Sequence, residues 1–293
     1  MGAALAGASR LSRDVFDEVD EALGQNLFRL MREGPEEELR LTENAQPAIM
    51  AHSIAVLRAL GVRLADVANL AAGHSLGEYS ALCAAGSFDL STTARLLKLR
   101  GQAMQQAVPI GEGAMAALLG ADLALAQRIA EAAAKGEVCA VANDNDPSQV
   151  VISGHKSAID RAIAIAKDMG AKRAVPLPVS APFHCPLMKP AAEAMRDALG
   201  YVVVERPAVP VFANVTAQPG SDPDTIRNQL VEQVTGMVRW RESIINMFDL
   251  NVDEFVEIGG KVLGSMVKRI VPDAKVTSVV TIEDIEALAK EIA

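Results

Sequence analysis

Residues 73–77 read Gly-His-Ser-Leu-Gly, set between the apolar run "DVANLAA" and the helical run "EYSALCAAG". A serine between glycines at a strand-to-helix turn is a nucleophile elbow. Its strained backbone lifts the hydroxyl clear of the sheet, and the small neighbours let the two arms of the turn approach closely. The pattern asks for a sheet covered by helices, with Ser75 as candidate nucleophile and the backbone N–H of Leu76 positioned for an oxyanion. Five such residues also occur as a glycine-rich loop with a capping serine, so the flanking strand and helix carry the choice.

The remaining chain supplies elements of that kind. "TENAQPAIMAHSIAVLRALG" has Thr42 as N-cap, Pro47 in its first turns, an apolar period near 3.6 and Gly61 as a stop, which predicts a helix. From Gly113 to Ser180 the order is strand ("AMAALLG"), helix opened by Asp122, a hairpin ("VCAVAN", turn "DNDPS", "QVVISG"), helix ("KSAIDRAIAIAKDMG") and strand ("KRAVPLPVS"). Strand, helix, strand, strand, helix, strand is the ferredoxin-like arrangement. Residues 113–180 are therefore expected to be a ferredoxin-like subdomain inserted into a core formed by residues 1–112 and 181–293. In the second core segment "PLMKPAAEAMRDALG", "DTIRNQLVEQVTG" and "KVLGSMVKRIV" read as helices, "VPVFANV" and "VDEFVEIGG" as strands. Their alternation makes the expected fold class α/β, an α/β-hydrolase-like core with a parallel sheet.

With 293 residues, half of them hydrophobic, the chain can bury a sizeable core. Aromatics at 3% and a net charge of -9 exclude a stacking platform and a basic footprint for nucleic acid. Cys83, Cys139 and Cys185 are odd in number and lack short metal-like spacing, which argues against a disulfide framework or a zinc site and for a reducing cytoplasm. The opening "MGAALAGASRLSR" has no signal-peptide core. The lack of acidic residues before Asp14 leaves a short transit-like leader as the minor alternative. No apolar run is long enough to predict a membrane span.

A serine nucleophile needs a base, and the chain has four histidines. His52 lies inside a helix, His74 precedes the serine so that its side chain should diverge from the hydroxyl, and His155 opens a helix of the insert and should face solvent. His184, in the loop "VSAPFHCP" stiffened by Pro182 and Pro186, is the favoured base. An α/β-hydrolase triad runs Ser, acid, His with the histidine late, and no histidine follows His184, which counts against an ordinary esterase. Arg100 falls on the apolar stripe Leu96, Leu97, Met104. There it needs an anion, either an internal carboxylate or a substrate carboxylate clamped by its planar fork. Gln233 falls near the stripe Ile226, Leu230, Val234, Met237, where its amide could orient the histidine or satisfy a loop.

Taken in order, "LTENAQPAIMA", "GHSLGEYSAL", "LLKLRGQAMQQA", "VANDNDPSQVVISG", "VSAPFHCPLM" and "VRWRESI" resemble the malonyl-CoA:acyl-carrier-protein transacylases of type II fatty acid synthesis, relatives of the acyltransferase domains of polyketide synthases. The resemblance covers nearly the whole chain. It implies ping-pong transfer of a malonyl group from malonyl-CoA to the phosphopantetheine thiol of acyl carrier protein, with Ser75 as nucleophile and His184 as general base and acid. Arg100 would pair with the malonyl carboxylate and Leu76 supply an oxyanion N–H. The backbone carbonyl of Gln233 would orient the histidine, so its side chain is expected to matter little. Phe183 matches the malonyl-preferring pattern. No metal or redox cofactor is implied, and a monomer is expected. The acidic carrier protein would dock on basic residues near the cleft, with Lys189, Arg239, Arg241, Lys261, Lys268 and Arg269 as candidates that are equally readable as solvated charges.

Two departures from the family stand out. Its members begin with a strand ending in "GQGSQ", whose glutamine N–H is the second oxyanion donor, and this chain starts at the Met-Gly that follows. One sheet strand and half the oxyanion hole are thus expected to be missing, a loss worth about 100- to 1,000-fold in turnover for the donor alone. The "EIGGKVL" turn is also one residue shorter than the family's. The alternatives kept open are a serine hydrolase or thioesterase and a truncated, non-catalytic homologue that binds carrier protein or CoA.

Overall fold

The computed structural model describes residues 1–292. Residues 1–41, where the sequence predicts no element, are mostly helical: α1 (Ala3–Ala8), α2 (Arg10–Leu23), α3 (Leu27–Glu33) and α4 (Glu36–Arg40). Ser9 caps α2 by accepting the Ser12 N–H, and Gly24 ends it at φ 57°. The apolar face of α2, Val15, Phe16 and Val19, packs on α5 (Thr42–Leu60). Thr42 is the first residue of α5 rather than its cap, and its hydroxyl accepts from Gln46 Nε2 at 2.9 Å.

The strand expected to lead into Ser75 is reduced to one residue. Residues 64–67 form α6 (Leu64–Val67), and only Ala71 bridges, in parallel, to Val211. The Ala71 N–H donates to Pro210 O and Ala71 O accepts from Phe212 N, but Pro210 has no N–H with which to continue the ladder. After the turn come α7 (Leu76–Ala84) and α8 (Leu90–Gln106), the latter capped by Asp89. Helices α2, α5 and α8 pack against one another around Met50, Ile54, Leu97 and Met104. A Cβ on Gly101 would sit 2.4 Å from Glu43 Cα, so glycine lets α8 approach α5 closely beside Arg100.

Next come β1 (Gly113–Leu119), α9 (Leu123–Ala134), β2 (Cys139–Asp146), β3 (Gln149–His155), α10 (Lys156–Ala166) and β4 (Arg173–Pro176). The four strands form one antiparallel sheet in the order β2-β3-β1-β4, with α9 and α10 enclosing a separate core of Ala116, Leu118, Ile129, Ile152 and Ile159. The hairpin is tighter than the sequence predicts: β2 runs on through Asp146, with register shifts after Val141 and Asp144, so "DND" belongs to the strand. This edge strand pairs onward outside the sheet, Asn143 bridging in parallel to Val238.

A short 3-10 turn (Pro186–Met188) precedes α11 (Lys189–Gly200), followed by β5 (Val211–Ala213), β6 (Gln218–Gly220), α12 (Pro223–Thr235), α13 (Trp240–Asp249), β7 (Glu254–Ile258), α14 (Leu263–Ile270), β8 (Lys275–Val279) and α15 (Ile282–Ile292). The protein is thus mixed α/β with small sheets. Strands β5 and β6 pair antiparallel, and β7 and β8 in parallel. The "GGK" turn is held by Glu257, whose carboxylate accepts the N–H groups of Val262, Leu263 and Gly264 at the start of α14.

Candidate active site

Ser75 stands at the N-cap of α7 with φ 56° and ψ -111°, outside the regions a non-glycine residue ordinarily populates. Packing enforces this geometry. A Cβ on Gly73 would lie 1.9 Å from the Gly77 carbonyl oxygen, so the arms of the elbow meet only if residue 73 is glycine. Asn214, one residue beyond β5, braces the turn from outside: its Oδ1 accepts the Ser75 N–H at 2.7 Å and its Nδ2 donates to Gly73 O at 2.8 Å. Leu76 is the first residue of α7, where helical N–H groups have no intrahelical acceptor and point toward an anion.

His184 also has positive φ, 56°, in the loop between Pro182 and Pro186. Its Nδ1 lies 2.9 Å from the Gln233 backbone carbonyl and its Nε2 lies 2.7 Å from Ser75 Oγ. A carbonyl only accepts, so Nδ1 carries the proton and Nε2 receives the hydroxyl hydrogen of Ser75, the tautomer a general base requires. Burial, and then the charge of Arg100, move the pKa of His184 from 6.5 to about 3. The imidazole is therefore neutral at physiological pH.

Arg100 is 1% exposed and none of its partners is a carboxylate. It donates to Gln46 Oε1 at 2.6 Å, to Gln233 Oε1 at 2.8 Å and to Ser75 Oγ at 3.1 Å, and its carbon Cζ lies 5.6 Å from the centre of the Tyr79 ring. Among the described residues no acid forms an ion pair with it, and its buried Nε has no acceptor. Of the two possibilities read from the helix, the internal salt bridge is thus not what the structure contains. A planar cation with neutral partners beside a nucleophile is suited to hold the carboxylate of an acyl group.

The expectation that the Gln233 side chain matters little is corrected. Fully buried, its amide accepts from Arg100 through Oε1, while Nε2 donates to Ser75 O at 3.0 Å and to Glu78 Oε2 at 2.7 Å. Glu78 is 3% exposed and also accepts the Asn214 N–H at 3.0 Å. Burial pushes its carboxyl up to about 7, against these hydrogen bonds and the pull of Arg100.

The structure brings Ser75, Leu76, Arg100, His184 and Gln233 together and leaves the other histidines elsewhere. His52 is buried in α5, and His74 turns away from the hydroxyl to Asn145 Oδ1 at 2.8 Å. His155 is half-buried rather than solvent-facing, because its Nδ1 accepts the Val138 N–H at 2.9 Å. Gln46, Glu78 and Asn214 are members of the site that the sequence reading missed. A carboxylate one turn beyond the elbow serine and an amide closing the apolar run "VFA" were the available signals.

Several of the expected docking cations are already engaged. Arg239 pairs with Glu242, Arg241 with the buried Asp144 at 2.9 Å, and Arg269 with the buried Asp146 at 2.8 Å. Lys261 reaches Asp284 at 3.9 Å, and Lys268 donates to the Pro272 carbonyl. Lys189, beside the His184 loop, lines a cleft with Arg196 between α11 and α12. Among the described residues no three potential ligands cluster to hold a metal ion, and no helix is long and apolar enough to cross a membrane.

The acyl transferase domain family matches residues 1–279. A malonyl CoA-acyl carrier protein transacylase of Escherichia coli strain K12 is 44% identical over 272 residues, which span 92% of this chain and 88% of the relative. A crystal structure of an acyl-carrier-protein-S-malonyltransferase from Bartonella henselae superposes with a TM-score of 0.97 at 50% identity, covering 100% of this chain and 94% of the other. A structure of a type II PKS acyl-carrier protein in complex with its malonyl-transacylase matches with a TM-score of 0.96 at 40% identity, covering 99% and 94%.

Proposed function

The chain belongs to the acyl transferase domain family, and on that premise we propose that it transfers a malonyl group from malonyl-CoA to the phosphopantetheine thiol of acyl carrier protein through an ester on Ser75. The observation that carries the choice of acyl group is Arg100, whose guanidinium lies 3.1 Å from the nucleophile's oxygen without a carboxylate partner of its own. A malonyl group has a carboxylate two carbons from its thioester carbonyl, so one end can meet Arg100 while the other meets Ser75.

Ser75 Oγ attacks the thioester carbon as its proton passes to His184 Nε2, and the imidazolium formed is held through Nδ1 by the Gln233 carbonyl. The Leu76 N–H serves the tetrahedral oxyanion. Collapse expels the CoA sulfur, which takes the proton from His184. In the second half the carrier-protein thiol gives its proton to His184 and attacks the ester carbon. Ser75 Oγ then leaves and recovers its proton. Every transfer runs between Ser75, His184 and the two thiols.

Residues 113–180 act in this reading as a ferredoxin-like subdomain inserted into an α/β-hydrolase-like core of residues 1–112 and 181–293. The strand order β2-β3-β1-β4 and the separate core of the insert support the division. Carrier protein, which is acidic in the resembled family, would approach near Lys189 and Arg196 beside the histidine loop.

Incubation with malonyl-CoA labelled in the malonyl group tests the reading. Label retained on Ser75 and discharged by added carrier protein is the expected result. Rapid release to water would make the protein a hydrolase, and absence of label would leave only a binding role.

A further inference from the structure

Arg100 and Glu78 are both almost wholly buried, and neither belongs to an ion pair among the described residues. Burying a lone charge is costly unless an opposite charge or well-aimed dipoles compensate it. Here the link between the two is the side chain of Gln233. Its Oε1 accepts from the guanidinium at 2.8 Å while its Nε2 donates to Glu78 Oε2 at 2.7 Å. The orientation of the amide is set by chemistry, since a guanidinium has only donors and a carboxylate only acceptors. One amide thus spans a buried cation and a buried anion, and the pair is neutral as a unit.

A substrate carboxylate brought to Arg100 upsets that balance, because two anions then share one buried cation. We infer that Glu78 is the counter-charge that the site gives up to an acidic acyl group: it balances Arg100 through Gln233 and takes up a proton when a substrate carboxylate occupies the guanidinium. This rests on the malonyl-transfer reading. The proton comes from solvent and adds to the carboxylate as a simple acid–base equilibrium. Both hydrogen bonds to Glu78 fall on Oε2, so Oε1 is left to carry it while Gln233 and Asn214 keep their acceptor.

The surroundings make the exchange feasible near neutrality. Burial already brings the Glu78 carboxyl to about 7, so a modest further push protonates it. The charged or titratable groups that act on it are few. Arg100 on α8 favours its ionised form, and Tyr79 on α7 is kept neutral because burial raises its hydroxyl pKa. His184 is neutral, and α5, α12 and the end of β5 present the uncharged amides of Gln46, Gln233 and Asn214. Protonation of Glu78 thus restores neutrality without moving an element.

Calorimetric titration of the full chain with Ser75→Ala at pH 8, in two buffers of different ionisation heat, counts protons taken up on binding. Malonyl-CoA should take up about one proton more than acetyl-CoA, and its affinity should weaken above pH 7 with a slope approaching about tenfold per pH unit. Adding Glu78→Gln should abolish both effects. Equal uptake for the two thioesters overturns the inference and needs only the Ser75→Ala protein, even if the Glu78 variant fails to fold. Labelling of Ser75 by malonyl-CoA in the unsubstituted chain without excess uptake defeats the role of Glu78 alone. Absence of both labelling and binding defeats the malonyl reading with it.

Discussion

Arg100 Nη2 donates to Ser75 Oγ at 3.1 Å and, from the same nitrogen, to Gln233 Oε1 at 2.8 Å. The residue that would choose the acyl group therefore touches the residue that would carry it. A carboxylate bound bidentately by this guanidinium is anchored a fixed distance from the attacking oxygen. Selectivity and orientation are then the same interaction.

Replacement of Arg100 should accordingly discriminate between acyl groups. Charge-assisted hydrogen bonds contribute about 1.5–3 kcal/mol each, so Arg100→Ala should lower kcat/KM for malonyl-CoA by about 100- to 1,000-fold. Acetyl transfer, which makes no such bonds, should fall by far less. Steady-state kinetics with both thioesters gives the comparison, and equal losses would remove the clamp.

His184 makes a prediction about stability as well as rate. Its pKa is about 3 in the folded protein against 6.5 ordinarily, so the unfolded chain binds the proton more readily. A depressed pKa contributes stability that is present above 6.5 and lost as pH falls from there toward 3. In that window the loss approaches about 1.4 kcal/mol per pH unit. His184→Gln should flatten the decline of the urea midpoint between pH 7 and pH 5. It should also abolish transfer at every pH.

Some of this site was legible before the structure because its signals are local. Gly73 and Gly77 bracket Ser75, Arg100 interrupts an apolar helical stripe, and the loop of His184 lies between two prolines. Glu78, Asn214 and Gln46 were not, because their meaning lies in partners far along the chain. The Asn214 N–H meets Glu78 across 136 residues, and Arg100 meets Gln46 across 54. Locally an acidic residue in the first turn of a helix is ordinary, and so is an asparagine at a strand end. The fold divides the same way. Strand and helix order across residues 113–176 followed from periodicity, whereas the strand before Ser75 shrank to Ala71 because its neighbour offers Pro210, which has no N–H. The opening helices had readable signals, the Ser9 cap and the spacing of Val15, Phe16 and Val19, masked by a run of small residues.

Asn214 should behave as a brace for the elbow rather than as a contact for substrate. Truncation to alanine strips partners from the Ser75 N–H and the Gly73 carbonyl inside a buried turn. Each unpaired group costs about 1–3 kcal/mol, so Asn214→Ala should lose roughly 2–6 kcal/mol of stability. Its kcat should fall by about tenfold or more with little change in KM for malonyl-CoA, since neither Arg100 nor the cleft is altered. A rise in KM at constant kcat would point instead to a role in binding.

The four-stranded sheet is fastened to the rest of the chain through its edge strand β2, and that fastening reaches the nucleophile. Along β2, Asp144 pairs with Arg241 at 2.9 Å, Asn145 Oδ1 accepts from His74 Nε2 at 2.8 Å, and Asp146 pairs with Arg269 at 2.8 Å. His74 is the neighbour of Ser75, so the strand that anchors the sheet also fixes one arm of the elbow. Asp144 and Asp146 are buried while their arginines are partly exposed, and removal of either arginine would leave a carboxylate in the interior without its cation. A double-mutant cycle with Asp144→Ala and Arg241→Ala should therefore show a coupling of about 1–3 kcal/mol in urea denaturation. The single Arg241 variant should be less stable than the pair variant, because the pair variant has no stranded charge. Amide exchange across residues 139–146 should rise in the single variant if the strand is the fastening, and a coupling near zero would show that the main-chain bridge at Val238 holds the sheet by itself.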